Sequence, residues 1–143
     1  NSESHIRYPK KFGLSERKVE LSGEGWFEVA KLKDRPFIVK LNGLDIQVLG
    51  TTFNVNAYKE DPNISIALNT GIIKLTGYTF KPLNLKPGDK AVYDKASGSC
   101  MIYHQAKVKQ ASLWKQNILV FDNTPMQVVM STLSRRFGCE FKV

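Results

Sequence analysis

Apolar and polar residues alternate along the chain from residue 19 to residue 29. The apolar or glycine positions are Val19, Leu21, Gly23, Gly25, Phe27 and Val29. The positions between them are Glu20, Ser22, Glu24, Trp26 and Glu28. Because successive side chains of a strand point to opposite faces, this period of two predicts a β-strand with one buried face.

The same alternation returns over residues 44–58 and is interrupted once, at Gly50 and Thr51, which predicts two strands meeting at a bend or bulge. Asn42-Gly43 is typical of a hairpin turn. The predicted strands are 18–30, 36–41, 44–49, 52–58, 64–69, 71–76, 79–85, 90–94 and 99–104. Short strands without an intervening helix favour a mainly β fold, either an antiparallel β-sandwich or a jelly-roll-like domain.

The pattern changes after residue 104. Residues 105–116 are mostly polar and predict a connector, and residues 117–122 predict a strand. A helix is predicted from Pro125, with Asn123 or Thr124 as its cap.

The predicted helix is amphipathic and is followed by a further strand. Its apolar stripe consists of Met126, Val129, Met130, Leu133 and Phe137. Gly138 is placed to end the helix, and residues 139–143 return to strand character. The segment 117–143 is therefore predicted as a partial β-α-β unit.

Length and composition favour one compact domain with a small appendage. The chain has 143 residues, of which 42% are hydrophobic, enough to bury a core. We divide it into a leader (1–17), a β domain (18–104), a connector (105–116) and the first half of a truncated C-terminal unit (117–143). That unit is too short to close a core alone, so we expect an exposed apolar face or strand edge there, with homo-oligomerisation as a possible consequence.

Several of these strands carry motifs that resemble the periplasmic domain of the FecR family. Family members show L-S-G-E-x-x-F-E-V, R/K-P-F-x-V and V-x-G-T-x-F-N-V. The matching blocks in this chain are 21–29, 35–39 and 48–55, followed in order by 71–75, 85–93 and Trp114. Gly25 and Trp26 stand where the family more often has a small residue and tyrosine, which preserves the strand and its aromatic character.

The resemblance implies a role in signal transduction. FecR-like proteins are single-pass inner-membrane regulators of Gram-negative bacteria, and this chain would be part of the periplasmic region. Its partner there would be the signalling domain of a TonB-dependent outer-membrane transducer. An extracytoplasmic-function sigma factor would bind a cytoplasmic segment that this chain lacks, and membrane contact would require a transmembrane helix that is also absent. Residues 117–143 resemble the start of a small α/β domain, similar to the short N-terminal domains of secretins and TonB-dependent transducers.

Within that segment we expect the partner-binding residues. Leu119, Val120 and Phe121 would form a pairing edge. The docking stripe would consist of Met126, Val129, Met130 and Leu133. Core packing of the same stripe is the competing interpretation, because helix stripes usually face a core.

The positive charge does not predict a nucleic-acid partner. The chain carries 21 Lys and Arg against 13 Asp and Glu, a net charge of +8. Its cations occur as isolated pairs or interleaved with acids, so no run of like charge tracks a phosphate backbone.

The residues expected of an enzyme are missing. His5 and His104 have no motif partners, and no cofactor or metal motif is present. Glu20, Glu24 and Glu28 share one strand face, which we interpret as a solvated face.

The sequence is also compatible with a second function. The all-β pattern also suits a carbohydrate-binding sandwich, with aromatic stacking platforms at Trp26, Tyr58, Tyr78 and Trp114. Cys100 and Cys139 are far apart in sequence, which leaves both a disulfide and two free thiols possible.

Overall fold

The computed structural model describes residues 1–142, and over this range the chain forms ten strands, one 3₁₀ helix and one α-helix. The strands are β1 (His5–Arg7), β2 (Arg17–Glu28), β3 (Phe37–Lys40), β4 (Leu44–Val48), β5 (Thr52–Ala57), β6 (Asn63–Thr70), β7 (Ile73–Gly77), β8 (Leu83–Leu85), β9 (Lys90–Asp94) and β10 (Cys100–Tyr103). The 3₁₀ helix spans Val108–Gln116, and α1 spans Met126–Phe137. The mainly β prediction is confirmed.

The strands form one mixed sheet that folds into two layers. Its order is β10-β9-β6-β5-β2-β3-β4-β7-β8, and β1 pairs with β2 outside this path. The long strand β2 belongs to both layers, because Arg17 to Glu20 pair with β3 whereas Gly23 to Glu28 pair with β5. The sandwich was predicted as antiparallel, and the β2–β3 pair is the parallel exception among the strand pairs of residues 1–142. Alternation identifies the faces of a strand but does not reveal its direction.

The core lies between the two layers. It collects the inward side chains of the strands, including Val39, Ile46, Phe53, Ile66 and Leu75, all fully buried. Phe27 of β2 stacks on Phe53 of β5 with ring centroids 5.1 Å apart. The alternation in residues 19–29 therefore marks the buried face as predicted.

The leader contains a strand that the sequence did not predict. Residues His5–Arg7 of β1 are all exposed and pair antiparallel with Glu20, Leu21 and Ser22 of β2. Because neither face of β1 is buried, no alternation marks it in the sequence.

The C-terminal segment (residues 105–142) differs from its predicted β-α-β pattern. The connector contains the 3₁₀ helix, and residues 118–121 form no strand. Residues 139–142 form none either, and Val143, the end of the second predicted strand, lies outside the described residues. A strand requires a partner strand for its backbone groups, and no strand of the described part of the chain pairs with these residues.

Helix α1 occupies nearly its predicted span, but the predicted cap, Asn123 or Thr124, is wrong. It begins at Met126, one residue later than predicted, with Pro125 as the flanking residue. Thr124 Oγ1 donates to the Asp122 carbonyl oxygen at 3.4 Å, and no side chain caps the helix. Gly138 ends it in the left-handed conformation, as predicted.

The C-terminal segment forms a third layer on the outer face of β2, β5 and β6. Asn54, which points away from the core on β5, is only 2% exposed because this segment covers it. Trp114 Nε1 of the 3₁₀ helix donates to Asn54 Oδ1 at 2.9 Å. None of the helices among residues 1–142 has the length and apolar character needed to cross a membrane.

Candidate functional site

Helix α1 docks on the β domain through Arg135. The guanidinium donates to both carboxylate oxygens of Asp61, at 3.0 and 3.1 Å, and to Glu60 Oε1 at 2.9 Å. It also lies over the ring of Tyr58, with Cζ 3.7 Å from the ring centroid. We call Arg135, Tyr58, Glu60 and Asp61 the Arg135 cluster.

Arg135 and Asp61 form the buried ion pair of the Arg135 cluster, whereas Glu60 is exposed at its edge. The side chain of Arg135 is 6% exposed and that of Asp61 is 9% exposed. Burial alone lowers the pKa of Arg135, but hydrogen bonds and charge from Asp61 and Glu60 raise it above its usual value. A bidentate, buried pair of this kind fixes the orientation of the helix.

The turn that receives Arg135 is held from its other side by Lys95. The ammonium Nζ donates to the carbonyl oxygens of Tyr58 and Asp61, each at 2.6 Å, and to that of Lys59 at 3.2 Å. Burial lowers the pKa of Lys95. The turn that α1 contacts is therefore stabilised by hydrogen bonds from Lys95.

Docking through Arg135 turns much of the predicted apolar stripe away from the β domain. Met126 is 68% exposed and Phe137 is 69% exposed. Val129, Met130 and Leu133 are half-buried. Ile118, Val120 and Phe121 are also exposed, so the C-terminal segment presents many large apolar side chains to solvent. Leu119 instead lies among Tyr58, Thr132 and Arg135, against the β domain.

We define the exposed apolar surface as Ile118, Val120, Phe121, Met126 and Phe137. The predicted pairing edge at residues 119–121 is not a strand. Val120 and Phe121 enter this surface through their side chains, whereas Leu119 does not. An exposed collection of large apolar side chains is a common mark of a protein interaction site.

Glu24 is not on a solvated face, which corrects the interpretation of the three glutamates. Its carboxylate accepts hydrogen bonds from Asn54 Nδ2 at 2.9 Å and Asn1 Nδ2 at 2.6 Å. Burial raises the pKa of Glu24 above its ordinary value, although these hydrogen bonds oppose the shift. Glu20 and Glu28 are exposed. The sequence could not reveal that the distant C-terminal segment covers only the middle glutamate.

The two histidines form no recognisable catalytic group. His5 is exposed in β1, and His104 Nδ1 lies 2.8 Å from Asp89 Oδ1. Burial raises the pKa of Asp89, but the Lys86 backbone N–H and His104 outweigh it and hold that pKa below its usual value. Residues 1–142 hold no cluster of three or more side chains suited to a metal ion.

The four aromatic side chains considered for carbohydrate binding occupy separate environments. Tyr58 is buried beneath Arg135, and Trp114 is hydrogen-bonded to Asn54. Lys115 Nζ covers the Trp26 ring at 4.2 Å from its centroid. Tyr78 alone is freely exposed, at 96%. They do not combine into a stacking platform.

The sequence did not predict the Arg135 cluster. Arg135 suits the last turn of a helix, where cations favour the macrodipole, and Asp61 suits a turn before proline. One signal was available, since Val128, Thr132 and Arg135 recur at helical spacing opposite the apolar stripe. Two of these three residues are polar, which gave no reason to prefer that side as the buried face.

Comparison with known proteins finds a matching family model and similar solved structures. The family model for the FecR protein matches residues 1–74. Two crystal structures of a candidate anti-sigma factor from Parabacteroides distasonis ATCC 8503, at 1.65 and 2.50 Å resolution, match with TM-scores of 0.91 and 0.90. Each is 30% identical to this chain, and each match covers 96% of this chain and 64% of the solved chain. The chain thus spans just under two thirds of the length of these relatives. No curated protein matches it at the significance required.

Proposed function

The chain belongs to the FecR family, and we propose that it is the signal-receiving periplasmic part of a membrane-anchored regulator. In this proposal the signalling domain of a TonB-dependent outer-membrane transducer contacts the chain. The regulator then changes the availability of an extracytoplasmic-function sigma factor, which binds a cytoplasmic segment across the inner membrane. The relay consists of protein contacts and includes no chemical step.

The exposed apolar surface carries this proposal. Large apolar side chains at Met126 and Phe137 are more than two-thirds exposed, at 68% and 69%, on a helix whose opposite side is fixed by Arg135. A rigid helix with an apolar side facing outward can be covered by a groove or sheet of a partner without being rearranged. The sandwich beneath it supplies a stable support.

The partner-binding residues proposed are Leu119, Val120, Phe121, Met126, Val129, Met130 and Leu133. Of these, Val120, Phe121 and Met126 are directly accessible, and the half-buried Val129, Met130 and Leu133 border them along the helix. Leu119 would act indirectly, because it packs beside Thr132 and Arg135. The carbohydrate-binding alternative has no comparable support, since its aromatic side chains are dispersed.

A capture experiment with two matched variants tests this proposal. The chain is immobilised and offered the signalling domains of the TonB-dependent transducers from the same organism. Met126→Asp places a charge on the exposed apolar surface, and we expect binding to weaken about tenfold or more. Gln127→Asp adds the same charge to an adjacent exposed position of α1 and should leave binding within about twofold.

Both variants should keep the stability of the parent chain, because both positions are exposed. Equal binding by the parent and Met126→Asp would remove the exposed apolar surface from the proposal. Failure of the parent chain to capture any signalling domain would reject the relay itself.

A further inference from the structure

The first residues of the chain and helix α1 meet at Tyr58. Its ring lies beneath Arg135, and its hydroxyl donates to the Ser2 carbonyl oxygen at 2.7 Å. One buried side chain, 4% exposed, therefore contacts both ends of the domain.

The N-terminal segment (residues 1–4) is held by further contacts around this point. The Glu24 backbone N–H donates to Ser4 Oγ at 2.8 Å, and Asn1 Nδ2 donates to the Glu24 carboxylate at 2.6 Å. Gly23 lies so close that a Cβ there would be 2.7 Å from Ser4 Cα. The segment thus fits tightly against β2.

Direct contacts also join the N-terminal segment to the last turn of α1. Arg136 donates to Asn1 Oδ1 at 3.5 Å and to the side chain of Asn117. Glu24 is in turn bonded to Asn54, which accepts from Trp114. A continuous set of polar contacts therefore runs from the N-terminal segment to the C-terminal segment.

The interface between the C-terminal segment and the β domain depends on hydrogen bonds and ion pairs more than on apolar burial. An open cleft of about 200 Å³ lies between the β domain and the C-terminal segment. The β domain lines it with polar side chains, whereas the C-terminal segment contributes apolar ones such as Leu119 and Val128; the β-domain residues are Glu24, Asn54, Asn56, Ser65 and Lys90. Polar interfaces of this kind within a chain typically permit relative motion. The loss of one contact leaves its buried partner unsatisfied, which weakens the neighbouring contacts.

We propose that the N-terminal segment and α1 dock on the β domain cooperatively through Tyr58 and the Arg135 cluster, so that release of either one releases the other. The sandwich core is not part of this transition, because its side chains lie between the two layers of the sheet. If the proposed function holds, a partner bound to α1 would thereby control the attachment of the N-terminal segment.

Native-state hydrogen exchange on the full chain, without any partner, tests this coupling. The Glu24 amide, bonded to Ser4 Oγ, reports the N-terminal segment, and the amides of α1 report the helix. Tyr58→Phe removes the hydroxyl that holds Ser2 and retains the ring beneath Arg135. We expect protection to fall about fivefold both at Glu24 and in α1.

Arg135→Met tests the coupling from the other end. It leaves Asp61 buried without its cation, and we expect protection in α1 to fall on the order of 100-fold, with a parallel fall at Glu24. Gln127→Ala, at an exposed position of α1, should change amide protection neither at Glu24 nor in α1.

The coupling is overturned if Tyr58→Phe affects only Glu24 and Arg135→Met affects only α1. If Arg135→Met also removes protection in the core strand β4, the domain has unfolded as a whole. The Tyr58→Phe result then decides whether the two segments are coupled. Because no transducer takes part, this outcome is independent of the capture experiment.

Discussion

Glu24 shows how a single side chain can acquire a role through residues far from it in sequence. Its carboxylate lies on the outer face of β2, where Asn1 and Asn54 donate hydrogen bonds to it and the C-terminal segment shields it partly from solvent. Burial raises its pKa because the ionised form loses hydration.

The raised pKa of Glu24 predicts a specific pH dependence of stability. The folded state binds this proton more tightly than the unfolded state, so the stabilisation is fully present below the ordinary glutamate value of 4.5 and is lost as pH rises through the higher folded pKa. Urea unfolding of Glu24→Gln across this window should show a shallower decline than the parent chain.

Glu20→Gln supplies the control for this pH series, since Glu20 is exposed on the same strand. Its unfolding profile should follow that of the parent chain. Identical slopes for Glu24→Gln and the parent would mean that Glu24 titrates alike in the folded and unfolded states.

The sequence predicts some secondary-structure elements better than others. Strands such as β4 and β7 bury one face completely, and their alternating residues predicted them. Strand β1 buries neither face, and the segment at 118–121 is apolar without a strand partner. The alternation of apolar and polar residues therefore predicted the strands of the core. It did not predict an exposed strand, and it predicted a strand at 118–121 where no partner strand exists in the described part of the chain.

The candidate site was predictable only in part for the same reason. The sequence identified the apolar stripe of α1 but left open whether it faces a core or a partner. The answer depends on Arg135 meeting Asp61 and Glu60, which lie 74 and 75 residues earlier in the chain. No local pattern encodes a contact of that separation.

The 3₁₀ helix makes a testable contribution to the docking of the C-terminal segment. In Trp114→Phe the indole N–H that bonds Asn54 Oδ1 is lost, which leaves that buried oxygen without its donor. We expect the free energy of unfolding to fall by about 1–3 kcal/mol. The measurement is urea denaturation monitored by circular dichroism.

Ser112→Ala provides the comparison within the same helix, because Ser112 is bonded only locally, to the Lys109 carbonyl oxygen at 3.2 Å. It should change stability by less than about 0.5 kcal/mol. Unchanged stability in Trp114→Phe would show that the Trp114–Asn54 hydrogen bond does not stabilise the third layer.

At the scale of the whole molecule, the sandwich and the C-terminal segment are energetically unequal. All the side chains of the buried core and those packed against it come from residues 12–102. The surface that the C-terminal segment covers is largely polar, with Asn54, Asn56 and Ser65 among its side chains. Water can solvate such a surface after the segment is removed.

A chain ending at residue 104 should therefore still fold. We expect its amide NMR spectrum to keep the dispersion of a β domain, with shifts confined to β2, β5, β6 and their neighbours. Its urea m-value should be smaller than that of the full chain, because less surface is exposed on unfolding. A collapsed spectrum would show that the third layer is required for the sandwich to form.

The proximity of Asn1 to Arg136 also has a mechanical consequence. Tension applied between residue 1 and the end of α1 would act across a short span, through the side-chain contacts at Tyr58, Glu24 and Asn1. The side chains of the buried core lie outside that load path. A pull applied at residue 1 or at the end of α1 would therefore separate these contacts first and leave the sandwich intact.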